Sequence, residues 1–321
     1  MELQATNTDV RTGFKRILLC IDPTAASARA AAFVPHLADK ETHVRIVGVV
    51  ENARAVIPLG PLAAFHLSAA HALLLQDVEN ACAASQELFA PSGAKVEIQI
   101  IDLITHGGEV VHALAKAAQD WQADLLVMGS RQHQGLLHWV EGAVSEPLMK
   151  FGACAILVVP EHGDVEWRGR PQRILFAVDG SSASQEALRI GTRLARAGTE
   201  LLAIYVVDRA VRLTDFVPLT VLEDALVEEG NAALAKASHF FETLQETCGT
   251  RLETALANTD QANDDVAHAI EREAQSWHAD LLVMGTHGRR GVVRCLLGSV
   301  ANRVARIART PLLLVREKDV S

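Results

Sequence analysis

The chain repeats itself. Residues 121–129 read WQADLLVMG and residues 277–285 read WHADLLVMG, 156 residues further on. Near the start of each half Ile17–Asp22 (ILLCID) answers Ile174–Asp179 (ILFAVD), and near the end Ala155–Pro160 (AILVVP) answers Pro311–Arg316 (PLLLVR). Three matched segments in one order, at almost constant spacing, mean a tandem duplication. Whatever fold one half takes, the other takes as well. The 321 residues then divide into two domains of ordinary size, 14–160 and 172–317, with the polar stretch 161–172 (EHGDVEWRGRPQ) as linker.

Within each half, short apolar runs alternate with amphipathic stretches. In the second half the runs are Arg173–Val178, Glu200–Val207, Arg251–Ala257, Asp280–Met284 and Leu312–Val315; in the first they fall near 16–21, 43–50, 95–101, 124–128 and 155–159. Runs rich in Val, Ile and Leu without polar alternation suit strands covered on both faces. Between the second-half runs lie helical patterns at Ser182–Ala197, Leu219–Glu246, Asp264–Gln275 and Ser299–Ala308. The fold class is therefore α/β, as two tandem doubly wound, five-stranded, parallel-sheet domains of Rossmann-like type. Such sheets bind ligands beyond the carboxyl ends of their strands, where strand order reverses.

Composition excludes several functions. Thirty Lys and Arg against 39 Asp and Glu give a net charge of −9, and Phe 9, Trp 4 and Tyr 1 supply few stacking platforms, so a nucleic-acid partner is not expected. Cys20, Cys82, Cys154, Cys248 and Cys295 are odd in number and scattered, which fits a reducing, cytoplasmic setting rather than a disulfide framework. Residues 55–75 carry no charge, but Pro58, Gly60 and Pro61 leave only Leu62–Leu75 as a helical run, short of the roughly 20 residues of a membrane span. That run is expected as a core-facing helix against the sister domain; an apolar pocket for a lipid-like ligand is the sharper alternative. No metal site is expected: His66 and His71 are five apart, as are His133 and His138, off the spacing of one helical face. Asp264 and Asp265 open a helix and are expected as caps. No P-loop, nucleophile elbow or H-E-x-x-H is present, so no catalytic residue is assigned.

Chemistry concentrates after the fourth strand of the second half. Gly285-Thr-His-Gly288 is followed, nine residues later, by Gly298-Ser299, a G-x2-G-x9-G-S spacing that leads into the helix SVANRVARIA. Glycines there allow a sharp turn and a close ligand approach. Ser299 stands where a helix cap belongs, and the unpaired N–H groups of the first turn suit phosphate oxygens. Arg289, Arg290 and Arg294 lie in the intervening loop, and Asp179 ends the first strand at the same sheet edge, where it can accept from a ribose or adenine group.

With these residues, both halves resemble the universal stress protein family of UspA type, and the second half carries the family's ATP-binding pattern in full. The resemblance implies ATP, with or without Mg2+, as the ligand. It implies Ala177, Asp179 and Val206 near adenosine, Met284, Gly285, His287 and Gly288 along the loop with Arg289, and Gly298, Ser299 and Val300 at the phosphates. It also implies an internal pseudo-dimer through the fifth strands, further pairing into a homodimer, and a regulatory role exercised through an unidentified protein partner. A weak ATPase or self-phosphorylating protein, using His287 and Ser299, and a nucleotide-independent carrier remain alternatives. The first half departs from the pattern. Gly129 and Gly142 remain, but Gln132 replaces the second glycine and Ala143 the serine. Arg289, Arg290 and Arg294 become His133, Gln134 and His138, Glu141 stands for Leu297, and Pro147 stands for Arg303. The first half is therefore expected not to bind ATP, with Asp22 as a structural remnant.

Overall fold

Apolar strands need cover on both faces, and the helices must supply it. The computed structural model describes residues 13–52, 67–130, 154–163, 167, 169–208, 219–259, 264–288 and 297–317. The first half contributes β1 (Arg16–Ile21), β2 (His43–Val50), β3 (Lys95–Asp102), β4 (Leu125–Ser130) and β5 (Ala155–Pro160). The second contributes β6 (Arg173–Ala177), β7 (Glu200–Val207), β8 (Arg251–Asn258), β9 (Leu281–Gly285) and β10 (Leu312–Val315). They form not two sheets but one, in the order β3-β2-β1-β4-β5-β10-β9-β6-β7-β8. Every neighbouring pair is parallel except β5 and β10, which run antiparallel with Leu313 opposite Leu157. Because the seam is antiparallel, the carboxyl ends of the two sets of strands lie at opposite edges of the continuous sheet.

The helices are α1 (Ala25–Phe33), α2 (Leu67–Glu87), the single turn α3 (Leu103–His106), α4 (Val110–Asp120), α5 (Ser182–Gly191), α6 (Leu219–Cys248), α7 (Val266–Ser276) and α8 (Ser299–Ile307). One core layer lies beneath α1, α2, α5 and α6, and the other beneath α4, α7 and α8. Both layers run through the two halves without a break. Among the described residues no helix is long and apolar enough to cross a membrane. Cys20, Cys82 and Cys154 are free and buried.

One expectation changes. The uncharged run does not press against the sister half: its described part belongs to α2, which buries Val78, Cys82 and Ser85 and packs on β2 and β3 of its own half. Leu73 is 66% exposed. Residues 53–66, including most of the proposed apolar pocket, lie outside the described residues. Described residues of 161–172 are tied to the first half. Trp167 packs at a tilt against Phe33, 4.7 Å between centroids, and lies under the Arg29 guanidinium at 4.5 Å. Arg29 Nη2 donates to Gly163 O at 2.8 Å, and Arg170 pairs with Asp39 at 3.3 Å.

The strongest repeat signal, W-x-A-D-L-L-V-M-G, serves the scaffold. Trp121 and Trp277 cap the carboxyl ends of α4 and α7. The next residues, Gln122 and His278, take the left-handed backbone at φ 53° and 55°, which turns the chain sharply into the following strand. The Asp124 carboxylate then accepts from the N–H groups of Lys15 and Arg16 at 2.8 and 2.9 Å, and Asp280 from those of Gln172 and Arg173 at 2.8 and 2.9 Å. Each aspartate thereby sets the start of β1 or β6 against β4 or β9. Arg16 and Arg45 lie over Trp121, and Arg173 over Trp277. Asp124→Ala and Asp280→Ala should each cost about 1–3 kcal/mol in urea denaturation, the penalty for stranding strand-end donors. Similar losses in the two variants would reflect their equivalent roles; an unchanged midpoint in either would contradict the account.

Candidate functional site

In the second half the strand order reverses between β6 and β9, so the loops leaving their carboxyl ends part to opposite faces of the sheet. A cavity of about 650 Å³ opens there. Ala177 at the end of β6, Asp179 just beyond it, and Val206 near the end of β7 line it. So do Met284 and Gly285 at the end of β9, His287 and Gly288 after it, and Gly298, Ser299 and Val300 at the start of α8. Ten of the eleven sequence-derived positions thus meet around one space. The eleventh, Arg289, lies outside the described residues, as do Arg290, Arg294 and Cys295.

The glycines serve by lacking a Cβ, and none of the three has a positive φ. A Cβ on Gly285 would sit 2.9 Å from the Ala183 carbonyl carbon and 3.0 Å from Ser184 N, so its absence lets the end of β9 tuck beneath the first turn of α5. This glycine answers to packing rather than to ligand approach. A Cβ on Gly288 would lie 2.8 Å from Asp179 Oδ2. A Cβ on Gly298 would lie 3.2 Å from Thr286 O.

Ser299 does not cap the last helix. The N-cap is Gly298, at φ −55° and ψ 150° with no side chain to offer, and Ser299 is the first helical residue. Gly298 N–H donates to Thr286 O at 2.8 Å, and Asn302 N–H donates to Gly298 O at 2.9 Å as the first helical bond. The N–H groups of Ser299, Val300 and Ala301 consequently lack intrahelical partners, at the positive end of the helix dipole. All three residues line the cavity.

Asp179 organises its own turn and faces the second loop. Its Oδ1 accepts from the N–H and hydroxyl of Ser181 at 3.0 and 2.6 Å, while Oδ2 is turned toward Gly288. Ser181 in turn caps α5 by accepting from Ser184 N–H at 3.1 Å. The first half wires the same turn differently. Asp22 Oδ1 accepts from the hydroxyls of both Thr24 and Ser27, and Ser27 Oγ also accepts from Asp22 N–H. The serine at the matching place in the second half, Ser184, donates instead to Ser181 O at 3.1 Å and faces the cavity. The other first-half departures, Gln132, His133, Gln134, His138, Glu141, Gly142, Ala143 and Pro147, lie outside the described residues.

Sequence reasoning missed the covering elements: Tyr205 and Asp208 at the end of β7, Leu226 and Glu229 of α6, and Val266 and Ile270 of α7 also line the cavity. One signal was available. Tyr205, the chain's single tyrosine, stands at the repeat position of Gly48. The volumes are exchanged across the helix contact: a Cβ on Gly230 would meet the Tyr205 ring at 2.6 Å, and a Cβ on Gly48 would meet Val78 at 2.4 Å. Among the described residues no group of three or more His, Cys, Asp or Glu could hold a metal ion.

Helices α7 and α8 pack side by side. Asp265 caps α7 by accepting from His268 N–H at 2.9 Å and pairs with Arg303 of α8 at 2.7 Å. Partial burial pushes its carboxyl up, but His268 and Arg303 more than offset this and hold it below the usual range. Asp264 does not cap; it pairs with Arg272 at 2.6 Å. Deeper in α7, burial pushes the Glu271 carboxyl up, against hydrogen bonds from Arg309 N–H and Gln275 and the Arg309 charge.

A family model described as the universal stress protein family matches residues 13–160 and 171–316. A universal stress protein of Methanocaldococcus jannaschii is 35% identical over 153 residues, covering 46% of this chain and 82% of that one. Another, from Mycolicibacterium smegmatis, is 25% identical over 306 residues, covering 94% of this chain and 97% of that one. The crystal structure of a universal stress protein from Archaeoglobus fulgidus superposes with a TM-score of 0.64 at 18% identity, over 98% of this chain and 100% of that one. At that identity the likeness concerns the fold.

A carboxyl raised above its unfolded value adds stability at low pH, and the contribution is lost as pH rises through the raised folded value. The stability of the native protein minus that of Glu271→Gln, from urea midpoints, should therefore fall as pH rises out of the ordinary carboxylate range. A difference that stays flat or rises would place the carboxyl in a different environment.

Proposed function

This chain belongs to the universal stress protein family, and on that premise we propose that its second half binds ATP and acts as a nucleotide-dependent regulatory module. The observation that carries the reading is the convergence of ten resemblance-implied positions on one cavity, with a helix start in its wall whose first amides lack intrahelical partners. The volume, about 650 Å³, suits a small-molecule ligand.

The residues present fit the group. The N–H groups of Ser299, Val300 and Ala301 are donors for phosphate oxygens, and the missing side chains at Gly288 and Gly298 leave backbone exposed to them. Ala177, Val206, Ile270 and Met284 offer apolar surface to a base, and Asp179 offers a carboxylate to ribose hydroxyls. Asp208 and Glu229 line the cavity too, so the wall is not uniformly suited to anions, and the helix end is where negative charge is favoured. Bound ATP supplies the polyanion that these amides neutralise; any Mg2+ arrives on its phosphates, since the described residues hold no metal cluster.

In the first half Gln132 and Ala143 replace the motif's second glycine and serine, which supports a single site per chain. Regulation follows by linkage. A protein partner that prefers the nucleotide-filled half raises the nucleotide's affinity by the same factor by which nucleotide raises its own.

Calorimetric titration should give one ATP per chain. Gly288→Val forces atoms toward Asp179 Oδ2 and should weaken binding about 10- to 100-fold, whereas Gly142→Val in the first half should leave it unchanged. Two equivalent sites, or none, would refute the reading.

A further inference from the structure

Helix α8 carries, at its start, amides without intrahelical partners, so whatever anchors its other end governs where they point. Just beyond that end the backbone N–H of Arg309 donates to Glu271 Oε1 at 2.9 Å. Gln275 Nε2 donates to the same oxygen at 2.9 Å. Glu271 is 8% exposed, and its Oε2 is buried with no hydrogen-bond partner among the described residues. A glutamate is rarely buried so deeply, and an unpartnered buried oxygen is unfavourable.

The repeat supplies an internal control. α4 reads VVHALAKAAQD and α7 reads VAHAIEREAQS, so Ala115 stands where the second half has Glu271. Ala115 is also buried, and the first half builds the same helix and strands around it. The fold by itself does not call for a carboxylate there. In the second half the residue beside it, Ile270, lines the cavity. Other ties on α8 include the Gly298 N–H to Thr286 O bond at its start and the Arg303–Asp265 pair on its flank. That pair is 58% and 37% exposed, where solvent screening leaves an ion pair little strength.

We propose that Glu271 is a positioning residue for the phosphate end of the second-half site. Its Oε1 fixes the chain immediately beyond α8, and the nine-residue helix, about 13 Å long at its standard rise, carries that constraint to the amides of Ser299, Val300 and Ala301. Glu271 touches no ligand itself. The inference rests on the reading that those amides hold phosphate.

The test titrates ATP and, separately, inorganic tripolyphosphate into the full-length protein and its variants Glu271→Ala, Glu271→Gln and Arg309→Pro, with a thermal melt of each. Arg309→Pro deletes the donor from the other side. Ala308 already has φ −60° and ψ 129°, the extended backbone that a residue before proline adopts. Glu271→Ala and Arg309→Pro should each weaken both ligands about tenfold, and the double variant should be no weaker than either, because all three remove one interaction. Glu271→Gln keeps the acceptor and should bind within about twofold of the native protein. A purely structural role would lower the melting temperature and leave affinity intact, and that outcome would overturn the proposal, as would a Gln variant as weak as the Ala variant. Should Glu271→Ala fail to fold, Arg309→Pro decides alone. A native protein that binds neither ligand would overturn the phosphate reading and this inference with it; a native protein that binds both, with variants that bind equally well, would overturn this inference only.

Discussion

The antiparallel pairing of β5 with β10 is the contact on which the rest depends. Each half has a five-stranded parallel sheet whose fifth strand would otherwise present an apolar, unpaired edge: Ile156, Leu157 and Val158 on one side, Leu312, Leu313 and Leu314 on the other. Joining them satisfies both ladders and makes two core layers continuous across the chain. The edges left over are β3 and β8, and these carry Lys95, Glu97, Arg251 and Glu253, charges that discourage further strand addition. The same pairing sends the two crevices to opposite edges of the sheet. They are separate by construction, so one half is free to change its chemistry while the other keeps its own.

That freedom shows in paired exchanges on a common scaffold. The Trp-x-Ala-Asp turn is duplicated with almost no change, because both halves need a carboxylate to set the first strand against the fourth. Near the crevices the halves diverge. Glycine on β2 faces Val78 and Cys82 on α2, whereas tyrosine on β7 faces glycine on α6. Ser27 closes on Asp22, whereas Ser184 turns away toward Ser181 O. Alanine in α4 becomes a buried glutamate in α7. Of the residues these exchanges bring to the second half, Tyr205 and Ser184 line the crevice, while Glu271 lies behind it.

The second crevice is shaped as much by missing side chains as by those present. Gly288 leaves room for the Asp179 carboxylate, and Gly298 caps α8 without consuming any of its amides. A serine or aspartate at that cap would have occupied a donor that a ligand can use. A helix end left open in this way is a favourable place for negative charge, and it stands within a cavity that also holds three carboxylates. Charge on the wall is thus uneven, which gives a ligand a preferred direction.

The duplication, the class of fold and the place of the site were legible in the sequence, since they rest on local pattern. Continuous Val, Ile and Leu runs specify strands covered on both faces, and a glycine spacing between strand and helix marks a loop that approaches a helix start. The glycine spacing itself carries Gly285, Gly288, Gly298 and Ser299, and positions such as Ala177, Val206 and Met284 come from the family resemblance; all of these line one cavity. The reasons for individual residues were less visible. Gly285 answers to the backbone of α5, some hundred positions earlier in the chain, and Ser299 loses the capping role to its neighbour because φ and ψ at Gly298 already complete the turn. Tyr205, Glu229 and Ile270 join the cavity only because α6 and α7 pack across the sheet, a consequence of long-range contact that no short window contains. The sequence alone determined which elements form and which motif leads into the last helix. The tertiary structure decided that two sheets become one, which way each crevice faces, and which side chains close around it, because these depend on strands and helices far apart in the chain meeting under the demand that every apolar face be covered.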